Sequence, residues 1–262
     1  MYQIKVDPHT HTLFSGHAFS TIGENLAEAS RKGLDGLGMA DHFGPLFTPM
    51  KDGLPIFGPM MNMSAMPKEV NGVRVFSSAE MDLVDFKGHL AFWDTCSPFG
   101  PPERQKITIC ESVLATRDYA IASLHNFPGF QDGTEAQYTE MYLGALQNPG
   151  IQIIGHPCRP GFLFDMDEVV RTAKALGKCL EINDHSFDSP DVIKKRCRQL
   201  ALKCAEEGAK VVVSSDAHSC WFIGEVSRAM AMLEEIHFPP ELIANRSLEA
   251  FEETIAQAKA EA

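Results

Sequence analysis

Seven short and almost uninterrupted apolar runs punctuate this chain, and amphipathic stretches separate most of them. The runs are residues 4–6, which lead into PHTHT, then LDGLGMADH, VRVFSSAEMDL, YAIASLHN, IQIIGHP, KCLEIND and KVVVSSDAH. A strand that is apolar along its whole length suits a sheet covered on both faces. Strands alternating with helices build βα units and a parallel sheet. Helical patterns fall near 22–32, 108–117, 135–147, 166–176 and 190–208. In the first of these, Thr21 with Glu24 three residues on forms a capping-box signature. Two or three further helices are expected beyond Phe222, one of them started by Pro239-Pro240. An α/β barrel commonly takes about 250 residues. The 262 residues, free of repeats and linkers, are therefore read as one domain over 1–262 with a barrel architecture.

The polar residues that end these runs carry the chemistry. His9, His11, His17, His42, His125, His156 and His218 close an apolar run or begin the loop after it, as do Glu80 and Asp216. In α/β barrels ligand sites form at the C-terminal ends of the strands, so these nine side chains are expected at one rim. Pro157 follows His156 directly and Pro128 follows His125 closely, which puts both histidines at strand exits. His9 and His11 are two apart, and in extended backbone they share a face. Asp7 lies on that same face and is expected to orient a ring. Imidazoles with a few carboxylates suit divalent transition metals. Three such ions would leave the site an excess of roughly four positive charges, enough to bind a phosphate dianion and activate water.

Composition narrows the partners. With 23 basic against 35 acidic residues the formal charge is −12. This is unsuited to a long nucleic acid or an anionic membrane. The first residues show no signal core, and no apolar run reaches the roughly 18 residues of a membrane span. A soluble, cytoplasmic protein is expected. The seven cysteines form no CxxC pair, and most sit in apolar segments, as reduced core thiols do. Cys158 and Cys220, each two residues from a candidate histidine, are the minority candidates for zinc. Residues 44–67, rich in Pro, Gly and Met, follow the second run and are expected over the functional rim, as a lid or a packed loop. Residues 83–99 read as a hairpin turning at Lys87-Gly88, with His89 outside the metal cluster.

The ordered set DPHTHT, SGHAFST, MADH, AE, LHN, GHP and SSDAH resembles the motifs of the PHP (polymerase and histidinol phosphatase) superfamily. The spacing is similar to that of the stand-alone bacterial YcdX-like phosphatases. The resemblance implies a distorted (β/α)7 TIM-like barrel with a trinuclear metal site, usually zinc, with manganese or iron as other options. It implies one ion on His9, His11, Glu80 and Asp216, a second on Glu80, His125 and His156, and a third on His17, His42 and His218. It also implies phosphomonoester hydrolysis by a metal-bound hydroxide, with Glu80, Asp216 and His218 acting through that water. A histidinol-phosphate phosphatase, a PHP nuclease or nucleotide phosphodiesterase, and a non-catalytic metal module are the alternatives. Arg159 is a candidate phosphate clamp and His185 a candidate substrate contact. The expected partner is a small phosphorylated substrate, with a trimer as a possible assembly.

Overall fold

A computed structural model describes residues 2–97, 106–126 and 129–261. In chain order the strands are β1 (Val6–Thr10), β2 (Gly36–Met39), β3 (His42–Phe43), β4 (Met50–Lys51), β5 (Leu54–Pro55), β6 (Glu69–Val70), β7 (Val73–Ser77), β8 (Glu80–Asp82), β9 (Ile121–Ser123), β10 (Ile153–Gly155), β11 (Cys179–Asn183) and β12 (Val211–Ser214). The helices are α1 (Ile22–Arg31), α2 (Gly58–Met61), α3 (Ile109–Leu114), α4 (Glu135–Gln147), α5 (Met166–Ala175), α6 (Asp191–Glu207), α7 (Ser227–Glu235) and α8 (Leu248–Ala260). Thr21, Thr108 and Thr134 each open a helix with a full capping box. Their hydroxyls accept from otherwise orphaned backbone N–H groups.

Two sheets form one curved wall. The first runs β1-β2-β7-β6, and the second runs β12-β11-β10-β9-β8-β3. Apart from the β6–β7 hairpin, every pairing in these two sheets is parallel. Two strands break in mid-course, at 40–41 between β2 and β3 and at 78–79 between β7 and β8. These breaks pass the wall from one sheet to the other and distort what is otherwise a seven-stranded (β/α)7 TIM-like barrel. The seam between β1 and β12 closes through a parallel bridge, Thr10 with Ala217, and through one side chain. Asn245 Nδ2 donates to Val6 O (2.7 Å) and Val213 O (2.6 Å), while Val213 N donates to Asn245 Oδ1 (3.0 Å). Its fully buried amide supplies ladder bonds that the two strands do not make themselves.

α8 plugs the end of the barrel opposite the rim. Phe251 meets Phe76 and Tyr119 edge to face, at 5.3 and 5.2 Å between centroids. The Tyr119 hydroxyl donates to Pro8 O. Gly38 must lack a side chain here, because a Cβ would lie 1.8 Å from the Tyr119 oxygen. The sheet's outer face packs on the helices around Leu37, Met81, Ile154, Leu180, Val213 and their neighbours.

The hairpin after β8 turns at Gly88, with Leu83 bridged to Leu90, as expected from Lys87-Gly88. Its last two positions, 98–99, lie outside the described residues. The C-terminal expectation needs one correction. Pro239-Pro240 starts only the single 3-10 turn Pro240–Leu242, because the chain goes straight on to another short turn and the strand-capping Asn245. No helix among the described residues is long and apolar enough to cross a membrane.

Candidate metal centre

The register of the wall brings the first two groups together. β3 pairs with β8 so that His42 lies opposite Glu80. Cross-strand partners share a face, and His42 Nδ1 comes within 2.7 Å of Glu80 Oε2. β1 adds His9, whose Nε2 is 3.4 Å from Glu80 Oε1, and His11 follows with Nε2 3.6 Å from Glu80 Oε2. His125 and His156, past the ends of β9 and β10, reach Glu80 Oε1 at 3.4 and 2.8 Å. Asp216 joins from the β12 exit, 3.0 Å from His11 Nε2 and 3.6 Å from His9 Nε2. The ring of His218 lies 4.1 Å from that of His11, and the ring of His17 lies 5.0 and 4.5 Å from those of His42 and His218. All nine residues singled out from the sequence thus lie together at one rim. Within them His9-His11-Glu80, Glu80-His125-His156 and His11-His42-His218 each bring ligand atoms within 4.8 Å of one another.

Most of the rings are held from behind. His9 Nδ1 donates to Glu181 Oε1 (2.7 Å) and His125 Nδ1 to Asp82 Oδ1 (2.7 Å). His11 Nδ1 meets Ser15 Oγ (2.9 Å), which itself donates to Asp41 Oδ1 (2.6 Å). His17 Nδ1 donates to Ser15 O (3.0 Å) and His218 Nδ1 to Asp216 O (2.9 Å). An acceptor on Nδ1 selects the tautomer whose Nε2 lone pair points the other way. In His9, His11 and His125 that direction is into the cluster, toward Glu80 or Asp216. His156 and Asp216 take positive φ, +26° and +54°. Such backbone is strained for residues with a side chain, and His156 N is held there by a 2.7 Å bond to Glu181 Oε2.

On its own the cluster satisfies protons poorly. Burial disfavours charge on His9, yet Glu181, Glu80 and Asp216 together hold its pKa well above the ordinary imidazole range. Burial likewise opposes charge on His125, but Glu80 and Asp82 raise it to about 10. Burial and the Arg159 guanidinium press His156 down to about 4, and burial does the same to His218. Glu80 stays well below the carboxylate range despite its burial, because His9, His42 and His125 surround it.

No family model matches the sequence. The chain is 33% identical over 254 residues to a "Probable phosphatase" of Acetivibrio thermocellus, covering 97% of this chain and 96% of that one. A "Probable phosphatase" of Caldicellulosiruptor bescii is 35% identical over 248 residues, with 95% and 94% covered. Among solved structures, the fold is similar to histidinol phosphate phosphatase from Lactococcus lactis, complexed with zinc, L-histidinol and phosphate. The TM-score is 0.60 at 19% identity, over 90% of this chain and 95% of that one. A putative histidinol phosphatase from Listeria monocytogenes gives 0.53 at 16% identity, over 84% and 97%. The chain belongs to the PHP superfamily.

The PHP donor set fits divalent metal. Nε2 of His9, His125 and His218, both ring nitrogens of His42 and Oε2 of Glu80 make no well-directed hydrogen bond among the described residues, close as several of them lie to one another. Each buried polar atom left unpaired costs about 1–3 kcal/mol. Lone pairs that converge from imidazoles and one carboxylate are what zinc-like ions accept. The cluster also has an open side, since His17 is exposed and His125, Arg159 and His218 are only partly covered.

Of the other expectations, Arg159 stands beside the cluster, its Nη1 2.5 Å from Asp216 Oδ2. His185 stands on the turn after β11, half exposed, 3.8 Å from Asp188. No contact joins it to the cluster among the described residues. Asp7 does not orient a ring. It accepts from Ser215 N, Ser215 Oγ and Gly224 N, and so ties β1 to the loop after β12. Cys158 is buried in the core, and no metal-capable group among the described residues contains a cysteine. His89 stacks on Trp93 (3.8 Å) and bonds Asp85, away from the cluster. Of residues 44–67, Phe47 lies over the rim, its ring against His42 (4.3 Å) and His17 (4.7 Å), while Phe57 and Met60 pack into the core outside the sheet.

Sequence reasoning missed Glu181, Asp82 and Asp41. Glu181 also accepts from Ser214 Oγ (2.6 Å) and Asn183 Nδ2 (3.3 Å). A signal existed. A carboxylate inside the apolar run KCLEIND is too costly to bury without partners. The same holds for Asp82, two residues beyond Glu80.

Proposed function

We propose that this chain is a metal-dependent phosphatase that hydrolyses phosphomonoesters. The observation that carries the reading is the convergence of imidazoles on Glu80 and Asp216 at the open side of the barrel, with His9, His11 and His125 fixed at Nδ1 and presenting Nε2 to those carboxylates. In this reading three divalent ions are held, most readily zinc, with manganese or iron also suited to the donors. His9, His11, Glu80 and Asp216 hold one, Glu80, His125 and His156 a second, and His17, His42 and His218 the third. When bound, such ions neutralise phosphoryl oxygens and lower the pKa of water to near neutrality.

The chain's own groups do the rest. Glu80 belongs to two of these donor groups and would be shared between them. Glu181, Asp82 and the Asp41–Ser15 pair keep His9, His125 and His11 in the tautomer that offers Nε2. Arg159 braces Asp216 and adds a fixed positive charge beside the cluster, suited to a phosphate oxygen. His185, at the exposed edge, is available to the rest of the substrate. The relatives named as probable phosphatases, and the zinc and phosphate bound by the Lactococcus lactis protein, support this reading.

The test is a panel of phosphate esters on purified protein, with and without chelator. Hydrolysis of an aryl phosphate that chelator abolishes and zinc or manganese restores is expected. Activity on dinucleotide diesters in place of monoesters would overturn it. A second reading, histidinol-phosphate hydrolysis, draws on the L-histidinol bound by the Lactococcus lactis structure. A kcat/KM for L-histidinol phosphate far above that for other monoesters would establish it.

A further inference from the structure

The loops beside the open side of the cluster expose an unusual number of large apolar side chains. Between β1 and α1, Leu13 is 54% exposed, Phe14 47% and Phe19 81%. After β12, Trp221 is 76% exposed and Phe222 62%. These two loops form one unit. Phe19 N donates to His218 O (2.8 Å), and Cys220 N donates to Ser20 Oγ (2.8 Å). Lys32 Nζ ties down the Trp221 carbonyl (3.2 Å). The backbone of Phe19 therefore lies against that of His218, and Trp221 follows three residues later. Phe47 continues the apolar surface inward, stacked on His17 and His42 and edge-on to His125 at 5.4 Å. Exposed apolar residues clustered beside a polar site mark a surface that something covers.

Resting on the phosphatase reading, we propose that this rim is the leaving-group subsite, and that the preferred ester carries an apolar, planar organic group. A phosphoryl group held at the imidazoles directs its ester oxygen toward the open side, where Phe47, Phe19 and Trp221 bound the way out. The occupant is a substrate group in preference to a second copy of the chain. Phe47 already lays an apolar ring on His17, His42 and His125, the Phe19 loop is bonded to the His218 backbone, and a formal charge of −12 opposes self-association.

The test compares ethyl phosphate with 2-phenylethyl phosphate, two alkyl esters that differ in the apolar ring. The wild-type protein, loaded with zinc, is expected to favour the phenylethyl ester roughly tenfold in kcat/KM, chiefly through KM. Phe19→Ser with Trp221→Ser, both at exposed positions, is expected to bring that ratio close to one, with metal content unchanged. Phenylphosphonate and methylphosphonate, titrated by calorimetry, should show the same preference without turnover. Equal ratios in wild type and double variant overturn the proposal. So does an unchanged ratio with a loss of oligomer by light scattering, which would assign the rim to a subunit contact. Failure of both esters to react, with the phosphonates still discriminated, counts against the phosphatase reading and leaves the subsite standing.

Discussion

Glu181→Gln is the most informative perturbation, because it changes one atom at a residue that would touch no ion. Glu181 Oε1 accepts from His9 Nδ1 (2.7 Å) and Ser214 Oγ (2.6 Å), and Oε2 accepts from His156 N (2.7 Å) and Asn183 Nδ2 (3.3 Å). A carboxylate can accept on both sides, whereas an amide cannot. If the Gln oxygen faces His9, its NH2 group confronts the His156 and Asn183 donors. If the amide flips, the NH2 group forces His9 to accept at Nδ1 and to carry its proton on Nε2, turned into the cluster. Either orientation removes a ligand direction or the bond that holds His156 at positive φ. Loss of such an outer partner typically weakens metal binding about 10- to 100-fold, or about 1.4–2.8 kcal/mol. Competition between the protein and a fluorescent zinc chelator measures this directly, and circular dichroism confirms the fold. A variant that binds zinc within about twofold of wild type would falsify the role assigned to Glu181.

Four further outcomes are expected. Glu80→Ala should lose two ions per chain by elemental analysis and nearly all phosphatase activity, since Glu80 lies against His9, His42, His125 and His156; full metal content would refute its bridging position. Chelation should lower the melting temperature by roughly 5–10 °C at metal concentrations far above Kd, the linkage gain of about 2.7 kcal/mol; a chelator-insensitive transition would contradict it. Asn245→Ala removes three hydrogen bonds at the barrel seam and should cost about 2–4 kcal/mol in urea unfolding; a loss under half a kcal/mol would mean the seam closes without it. Gly38→Ala should fail to fold or lose about 3 kcal/mol or more, because the new methyl overlaps the Tyr119 oxygen; a native-like melting curve would disprove that contact.

The helices were legible because their determinants are local. Residues 135–147 and the Thr21 capping box stand where spacing and caps put them. β1 was less legible, since it runs on through Val6–Thr10 and carries His9 inside the strand. The meeting of the nine polar residues at one rim was legible for a different reason. Polar residues at the ends of apolar strands have one common destination in a parallel barrel, so chain order alone predicts that they meet.

Other features depend on distances between segments far apart in the chain. Nothing local says that Glu181, one of two carboxylates in KCLEIND, will stand behind His9, 172 positions away. Nor does it say that Asp7, on the face of His9, will turn instead to Ser215 and Gly224. The chain alone determined the βα rhythm, the helix caps and the residues able to bind metal, because periodicity and residue chemistry act over a few positions. The closed seam at Asn245, the tautomers of His9 and His125 and the apolar surface beside His17 and His218 were decided by tertiary structure. Each needs partners whose closeness exists only after the barrel has closed.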